Sequence, residues 1–189
     1  MTESRDEPAP SPGKVSSKRV YSGRIISVDV DQVRFPDGSI GELEMVRHPG
    51  ASAVVPLLDS GADPRVLLIR QYRYAADGYV YEVPAGRLDP GEAPESCASR
   101  ELREETGYTA ASLRQLTTIY TTPGFTDERI HLFVAEGLTL GSSARESDEF
   151  LELHPVPLSE AVAMVRSGEI VDGKTSVALL LTYLSQNPK

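Results

Sequence analysis

Short apolar runs of strand length, separated by turn residues, recur along most of the chain. They cover residues 51–58, 65–72, 113–120, 128–136 and 151–156. Between the first two runs, a loop rich in Asp, Gly and Pro interrupts the apolar pattern. In the fourth run, every second position is apolar, so that Ile130, Leu132 and Val134 alternate with Arg129, His131 and Phe133. Runs of this length and composition predict β-strands.

Three helices are predicted by different signals. The first begins near Pro94, since proline is tolerated only in the first turn of a helix, and ends at Gly107, where glycine accepts a left-handed cap. The second covers residues 159–167 with Ser159 as its N-cap, and the third covers the apolar residues 174–184. This order of strands and helices fits a layered protein but does not distinguish one α+β fold from another.

The chain divides into three segments. Residues 1–17 are polar and rich in Pro and Ser, which predicts a disordered tail. Residues 18–49 contain strand-like stretches around a turn, and we expect a small antiparallel unit with little core of its own. Such a unit needs a partner, either the main domain or a second subunit. Residues 50–186 form the main domain.

Composition excludes several classes of protein. The 189 residues favour one domain with an extra segment, and a hydrophobic content of 40% suffices for a core. A net charge of −9 argues against a protein that grips nucleic acid by bulk charge. No apolar run approaches the roughly 18 residues of a membrane span, and the N-terminus lacks the apolar stretch of a secretory signal. The single cysteine, Cys97, suits a reducing cytoplasm and is expected to be a packing residue.

A cluster of glutamates on the first helix carries the candidate chemistry. Glu101, Glu104 and Glu105 stand at i, i+3 and i+4, on one face of a regular helix, where like charges repel. Arg100 precedes Glu104 by four residues and neutralises part of this charge. A hard divalent cation would suit the rest, because Mg²⁺, Mn²⁺ and Ca²⁺ prefer oxygen ligands. The plain alternative is a solvated acidic helix.

The surrounding segment resembles the Nudix box, G-x5-E-x7-R-E-U-x-E-E-x-G-U, where U is a bulky apolar residue. The matching positions are Gly86, Glu92, Arg100, Glu101, Leu102, Glu104, Glu105 and Gly107. The last position is Tyr108, which is bulky but not aliphatic. The number of matched positions favours the Nudix interpretation over the solvated acidic helix.

This resemblance implies a fold, a metal and a set of ligands. The fold is an α/β/α sandwich around a mixed sheet. The metal is Mg²⁺, or Mn²⁺ in its place. It would be held by Glu101, Glu104 and Glu105, and the backbone carbonyl of Ala85 can join them. Glu105 is also assigned to catalysis, and Arg100 would hold the glutamates in place through ion pairs.

Outside the box, the chain is similar to the ADP-ribose pyrophosphatase branch of the Nudix family. Pro123 lies 15 residues beyond Tyr108, a spacing associated with that branch. The substrate contacts that this resemblance implies are Arg73, Arg70 and Glu128, of which Arg73 is the preferred one. An arginine offers a planar fork of donors to phosphate oxygens. Each of the three also has a plain interpretation as a solvated surface charge.

A further glutamate from a loop after the box is implied by the same resemblance, and its role is to align or activate the attacking water. The loop and its end offer Glu146, Asp148, Glu149 and Glu152. Glu149 is the preferred catalytic residue because it stands just before the next strand, and Glu146 is the runner-up. A loop suits this role if it closes over the substrate and excludes water.

The expected activity is hydrolysis of the diphosphate bond of ADP-ribose to AMP and ribose 5-phosphate. One alternative keeps the reaction but changes the substrate to another nucleoside diphosphate sugar. Another is a non-catalytic domain that senses a nucleotide metabolite or binds Ca²⁺. The expected partners are the small-molecule substrate and a second copy of the chain in a homodimer, since in this branch the N-terminal segment often exchanges with the other subunit.

Overall fold

The computed structural model describes residues 11–141 and 151–186, which form twelve strands and three α-helices. The strands are β1 Gly13–Ser22, β2 Ser27–Arg34, β3 Ile40–Arg47, β4 Ala51–Pro56, β5 Arg65–Arg73, β6 Gly78–Glu82, β7 Ala85–Arg87, β8 Tyr108–Thr109, β9 Ser112–Tyr120, β10 Arg129–Glu136, β11 Thr139–Leu140 and β12 Leu151–Pro157. The helices are α1 Pro94–Glu101, α2 Leu158–Ser167 and α3 Gly173–Gln186. A π-helical segment, Leu102–Thr106, continues α1.

The chain forms two compact units. The first comprises residues 1–48 together with residues 122–128, and the second comprises residues 49–121 and 129–189. In the first unit, β1, β2 and β3 form an antiparallel sheet in that order. Residues 122–128 join this unit through backbone hydrogen bonds, since Val46 N–H donates to the Phe125 carbonyl at 2.7 Å.

Strand β1 corrects the predicted N-terminal tail. It begins at Gly13, inside the stretch expected to be disordered, and residues 1–10 lie outside the described part of the chain. All ten residues of β1 are exposed, so apolar burial does not hold the strand in place. Polar cross-strand contacts do, because Ser17 Oγ donates to Asp31 at 2.5 Å and Arg19 pairs with Asp29.

The second unit has a mixed central sheet with the order β7-β4-β10-β9. Its two middle strands, β4 and β10, are parallel, and the outer pairs are antiparallel. A second sheet, with the order β12-β5-β6, is antiparallel, and β8 and β11 form a short pair. No helix in residues 11–141 and 151–186 is long and apolar enough to cross a membrane.

Both faces of the central sheet are covered, as the predicted sandwich requires. On one face, Ala98 and Leu102 from α1 and its π-helical extension pack with Val54 and Phe133. On the other face, a larger core joins β4 and β10 to β5, α2 and α3, and it contains Leu68, among other residues. Strand β10 is therefore buried on both sides, so Phe133, which the alternating pattern grouped with polar residues, lies in the core.

Helix α2 begins differently from its prediction. Its N-cap position is Pro157, and the Ser159 side chain does not cap the helix. Instead, Ser159 N–H and Oγ both donate to the Asp63 carboxylate, at 2.9 and 2.7 Å. Asp63 lies in the loop between β4 and β5, so the acceptor for the first turn of α2 comes from a distant part of the sequence.

Candidate metal and phosphate site

The Nudix-like segment folds as strand β7, a loop and then α1 with its π-helical extension. Helix α1 begins at Pro94, and the π segment ends at Gly107, whose φ of 80° is left-handed, so both predicted ends of the helix are confirmed. The loop is closed by Glu92, whose N–H donates to the Asp89 carbonyl at 3.0 Å while its carboxylate accepts from Asp89 N–H at 3.0 Å.

Glu101 and Glu105 converge on β7. Glu101 is 9% exposed, and its carboxylate lies directly against Gly86, where a Cβ atom would come within 1.8 Å of Glu101 Oε1. Glu105 is 2% exposed, and its Oε2 accepts the N–H of Ala85 at 3.0 Å. Glycine at position 86 thus leaves room for one carboxylate while its neighbour Ala85 anchors the other.

Glu104 is arranged differently from the other two glutamates. Its two oxygens pair with Arg100 Nη1 at 3.2 Å and Arg103 Nη2 at 3.1 Å. In a regular helix with 3.6 residues per turn, all three glutamates would share one face. The chain is π-helical from Leu102 to Thr106, which changes the angle between successive side chains in that turn.

Arg100 links the carboxylates of this segment. It binds Glu92 with two hydrogen bonds of 2.9 Å, reaches Glu101 Oε1 at 2.5 Å, and donates to the Arg87 carbonyl at 3.1 Å. The hydrogen bonds from Arg100 are the main cause that lowers the pKa of Glu92 to about 2. Glu92 is therefore a permanent anion at neutral pH, and Arg100 has the ion-pairing role expected of it.

The donor set suits a hard divalent cation. The carboxylates of Glu101 and Glu105 lie against Gly86 and Ala85, and carboxylate oxygens are ligands that such a cation prefers. Within the described residues, no three His, Cys, Asp or Glu side chains are grouped closely enough to hold a metal ion. Glu101, Glu104, Glu105 and Ala85 therefore stay predicted ligands, and of these the structure brings Glu101, Glu105 and Ala85 together.

Cys97 is a buried thiol beside this segment. Its Sγ lies 3.5 Å from the carbonyl oxygens of Gly86 and Arg87. Burial, with the charge of Glu92 as a second cause, raises the pKa of the thiol to about 11. A neutral thiol packed under β7 agrees with its predicted role in packing.

The predicted substrate arginines both have carboxylate partners. Arg73 Nε and Nη2 bind Glu82 at 2.7 and 2.8 Å, and hydrogen bonding to Glu82 is the main cause that raises the pKa of Arg73. Arg70 pairs with Glu152 at 3.2 Å, and its guanidinium lies 4.3 Å from the centre of the Tyr79 ring. Glu152, one of the acidic residues considered for the further glutamate, lies in β12 and is paired with Arg70.

Glu128 and Glu149 are the two remaining predicted residues. Glu128 belongs to the first unit, where its carboxylate is 3.2 Å from Nδ1 of His48. Glu149 and its runner-up Glu146 lie outside the described residues. Their assigned roles therefore stay predictions.

Sequence reasoning missed a buried polar group next to the site. Glu82 is 2% exposed and binds both Arg73 and Lys174. The available signal was a charged residue at the end of an apolar strand pattern, directly before Val83, Pro84 and Ala85. A buried carboxylate at such a place requires cationic partners, which the sequence alone does not identify.

Comparison with known proteins agrees with this geometry. The NUDIX domain profile matches residues 46–176, and the profile of the nucleoside diphosphate sugar hydrolase N-terminal domain matches residues 14–42. The chain is 40% identical over 174 residues to an ADP-ribose pyrophosphatase of Bacillus subtilis (strain 168), covering 91% of this chain and 92% of that protein. The profile of the N-terminal domain includes residues 14–17, which were predicted to be disordered.

Two further relatives widen the comparison. A GDP-mannose pyrophosphatase of Salmonella paratyphi B (strain ATCC BAA-1250 / SPB7) is 40% identical over 158 residues, covering 75% of this chain and 80% of that protein. A solved structure described as an ADP compounds hydrolase has a TM-score of 0.80 at 23% identity, covering 96% of this chain and 98% of that one. The latter confirms the fold. With its complete box, its domain match and its relatives, the chain belongs to the Nudix family.

Proposed function

We propose that this protein hydrolyses the diphosphate bond of ADP-ribose, producing AMP and ribose 5-phosphate with the help of a divalent metal. The convergence of Glu101 and Glu105 on β7 carries the proposal, because it places two buried carboxylates beside Ala85 and Gly86. The choice of ADP-ribose is supported by the 40% identity to the Bacillus subtilis ADP-ribose pyrophosphatase.

Glu101, Glu104, Glu105 and the Ala85 carbonyl would hold Mg²⁺, or Mn²⁺ in its place. When bound, such a metal neutralises phosphate oxygens and lowers the pKa of a coordinated water. Arg100 keeps Glu101 and Glu104 oriented through its ion pairs. A water molecule adds to one phosphorus while the bond to the bridging oxygen breaks, and the proposed acceptor of the water proton is Glu149.

The substrate would be held by Arg73, Arg70 and Glu128. The Arg73 side chain is 42% exposed, and its Nε and Nη2 edge is fixed by Glu82. Fixing one edge of a guanidinium restricts its rotation, so less entropy is lost when a phosphate binds the rest of it. For this role we expect Arg73→Ala to raise KM for ADP-ribose. Because Arg73 also supplies two hydrogen bonds to Glu82, we expect kcat to fall as well.

A second candidate substrate is another nucleoside diphosphate sugar. The identity to a GDP-mannose pyrophosphatase, also 40%, favours this class. The diphosphate chemistry is the same, and contacts away from the diphosphate decide between the sugars and bases. A panel containing ADP-ribose and GDP-mannose separates the two by the ratio of their kcat/KM values.

We also propose a homodimer in the cytoplasm. The first unit exposes several apolar side chains on its small sheet, among them Val15, Val20, Tyr21 and Ile40. Exposed apolar side chains grouped in this way are typical of an interaction surface, and a second copy of the chain would cover them. Light scattering should give twice the chain mass of 20.5 kDa, and a 20.5 kDa species would refute the dimer. The free buried thiol of Cys97 suits a reducing compartment.

The decisive test is product analysis with ADP-ribose and Mg²⁺. We expect the wild type to release AMP and ribose 5-phosphate, and Glu105→Gln to lose most of the rate. The matched control is Glu95→Gln, an exposed glutamate on the same helix, which should keep wild-type activity. Binding of ADP-ribose without turnover would instead favour a sensing domain. Equal activity of the wild type and Glu105→Gln would refute the metal site.

A further inference from the structure

Glu82 is a buried carboxylate at the centre of an ionic group in the second unit. It is 2% exposed at the end of β6, and its two oxygens are bound by three donors. Arg73 contributes Nε at 2.7 Å and Nη2 at 2.8 Å, and Lys174 contributes Nζ at 2.5 Å. Burial raises the pKa of Glu82, but the two cations outweigh burial and keep the pKa below its usual value.

Lys174 connects Glu82 to the start of α3. Its Nζ also lies 3.1 Å from Asp172, and Asp172 accepts the N–H of Thr175 at 2.9 Å. Two cations and two carboxylates thus alternate, so the group as a whole is neutral. The two cations offset part of the cost of burying the Glu82 carboxylate, whereas removing one of them leaves that buried charge poorly compensated.

The three residues after Glu82 are each fixed by a hydrogen bond to a different element. Val83 N–H donates to Oγ1 of the buried Thr175 at 2.9 Å. The Pro84 carbonyl accepts Val54 N–H at 2.9 Å. Ala85 N–H donates to the Glu105 carboxylate at 3.0 Å.

A continuous path therefore runs from α3 to the metal-binding segment. Lys174 and Thr175 hold the start of the Val83–Ala85 segment, and Ala85 at its end anchors Glu105. Displacement of this segment would move both the Ala85 carbonyl and the Glu105 carboxylate. The outer partners of metal ligands commonly change metal affinity or activity about 10–100-fold when they are removed.

We propose that Lys174 and Thr175, acting through Glu82 and Val83, are positioning residues that set the metal affinity of this protein. They touch neither metal nor substrate, and they act by fixing the backbone that presents Ala85 to Glu105. The inference rests on the proposed metal-dependent function. It adds α3, far along the sequence from the Nudix box, to the parts of the chain that determine catalysis.

The test uses the full-length protein and measures Mn²⁺ binding without substrate, from the electron paramagnetic resonance signal of free Mn²⁺. Lys174→Met removes the cation, and Thr175→Val removes the acceptor of Val83 N–H with little change in shape. We expect each to raise the Kd for Mn²⁺ about 10-fold, and to lower kcat for ADP-ribose about 10-fold with KM within about twofold.

Conservative variants and a control separate positioning from general stability. Thr175→Ser keeps the hydroxyl, so its Kd for Mn²⁺ should stay within about twofold of the wild-type value. Lys174→Arg keeps the positive charge and should retain most of the Mn²⁺ affinity that Lys174→Met loses. Asp59→Asn breaks an exposed ion pair with Arg65 in the same unit and should change neither Kd nor kcat. Circular dichroism verifies that each variant is folded at the assay temperature.

The outcomes are distinct for the two proposals. The positioning role would be overturned if folded Thr175→Val and Lys174→Met bound Mn²⁺ as tightly as the wild type and showed only a lower Tm. It would also be overturned if the wild type bound no Mn²⁺. If the wild type binds Mn²⁺ but does not hydrolyse ADP-ribose, the proposed substrate fails, while the Kd values of the variants still decide the role of Lys174 and Thr175.

Discussion

Substituting alanine for Gly86 tests whether activity requires the Glu101 carboxylate to occupy the space beside Gly86. The φ of Gly86 lies outside the left-handed region, so its backbone accepts an alanine without strain. The added Cβ, however, would lie 1.8 Å from Oε1 and 2.0 Å from Cδ of Glu101. The three atoms nearest to the added Cβ all belong to the Glu101 carboxylate, so the closest conflict is with the end of that side chain.

The size of the effect follows from these distances. Non-bonded carbon and oxygen atoms approach to about 3.3 Å, so the Glu101 carboxylate has to retreat by about 1.5 Å. Metal–ligand distances tolerate about 0.2 Å, and a misplacement of about 1 Å costs about 100-fold in rate. We expect Gly86→Ala to lower kcat at least about 100-fold. Overpacking typically lowers the free energy of unfolding by about 1–3 kcal/mol, so the protein should stay folded at 25 °C.

The assay is steady-state hydrolysis of ADP-ribose with Mg²⁺, combined with urea unfolding of the same samples. The matched control is Gly78→Ala in β6, where an added Cβ meets no atom within 4 Å. This control should keep wild-type kcat. A folded Gly86→Ala protein with more than about a third of wild-type kcat would show that the Glu101 carboxylate does not have to lie beside Gly86.

Three further predictions concern individual contacts. Since the folded-state pKa of Glu92 is about 2 against its ordinary 4.5, its ionised form stabilises the protein above pH 4.5, and this contribution is lost as the pH falls towards 2. Arg100→Gln should therefore lower the free energy of unfolding more at pH 6 than at pH 3 in urea titrations, and an equal loss at both would contradict the ion pairing. With a thiol pKa of about 11, Cys97 should react with a disulfide reagent at pH 7.5 about 100-fold or more slowly in the native protein than in urea, and equal rates would show an accessible thiol. Asp63→Ala should lower the free energy of unfolding by about 1 kcal/mol, because it removes the hydrogen-bond acceptor for the start of α2. Adding Ser159→Gly to Asp63→Ala should lower that free energy little further, whereas fully additive losses would show that the two residues act independently.

The limits of the α1 region could be predicted because they depend on local chemistry. Proline at position 94 and glycine at position 107 restrict the backbone whatever surrounds them, and both lie where the helical segment begins and ends. The spacing of the box residues carried the resemblance to the Nudix family, and the sandwich fold was implied by that resemblance.

Features that depend on distant residues could not be predicted in the same way. The partner of Ser159 is Asp63, and the partners of Glu82 are Arg73 and Lys174, all of them on other elements. The burial of Phe133 depends on α1 covering the second face of the central sheet. In each case, the local sequence shows which side chain is present, but its contacts depend on elements that only the tertiary fold brings near it.

The π-helical turn shows a different limit of sequence reasoning. A helix with 3.6 residues per turn would bring Glu104 together with Glu101 and Glu105, but the turn from Leu102 to Thr106 is wider. Thr106 Oγ1 donates to the Leu102 carbonyl within this turn, and Tyr108 N–H donates to the same hydroxyl at 3.1 Å. A threonine at the end of a predicted helix does not by itself indicate such a turn.

The first unit is built from two separate stretches of the sequence, which has a consequence for how the protein can be divided and expressed. A fragment ending at His48 would lack residues 122–128. It would leave the Val46 N–H without the Phe125 carbonyl, and Arg47 without the Asp127 carboxylate that lies 3.1 Å away. The N-terminal sheet is thus not an independent module that gene fusion or truncation could exchange intact. The first unit becomes complete during synthesis only after the ribosome has passed residue 128, when residues 49–121 of the second unit have already been made.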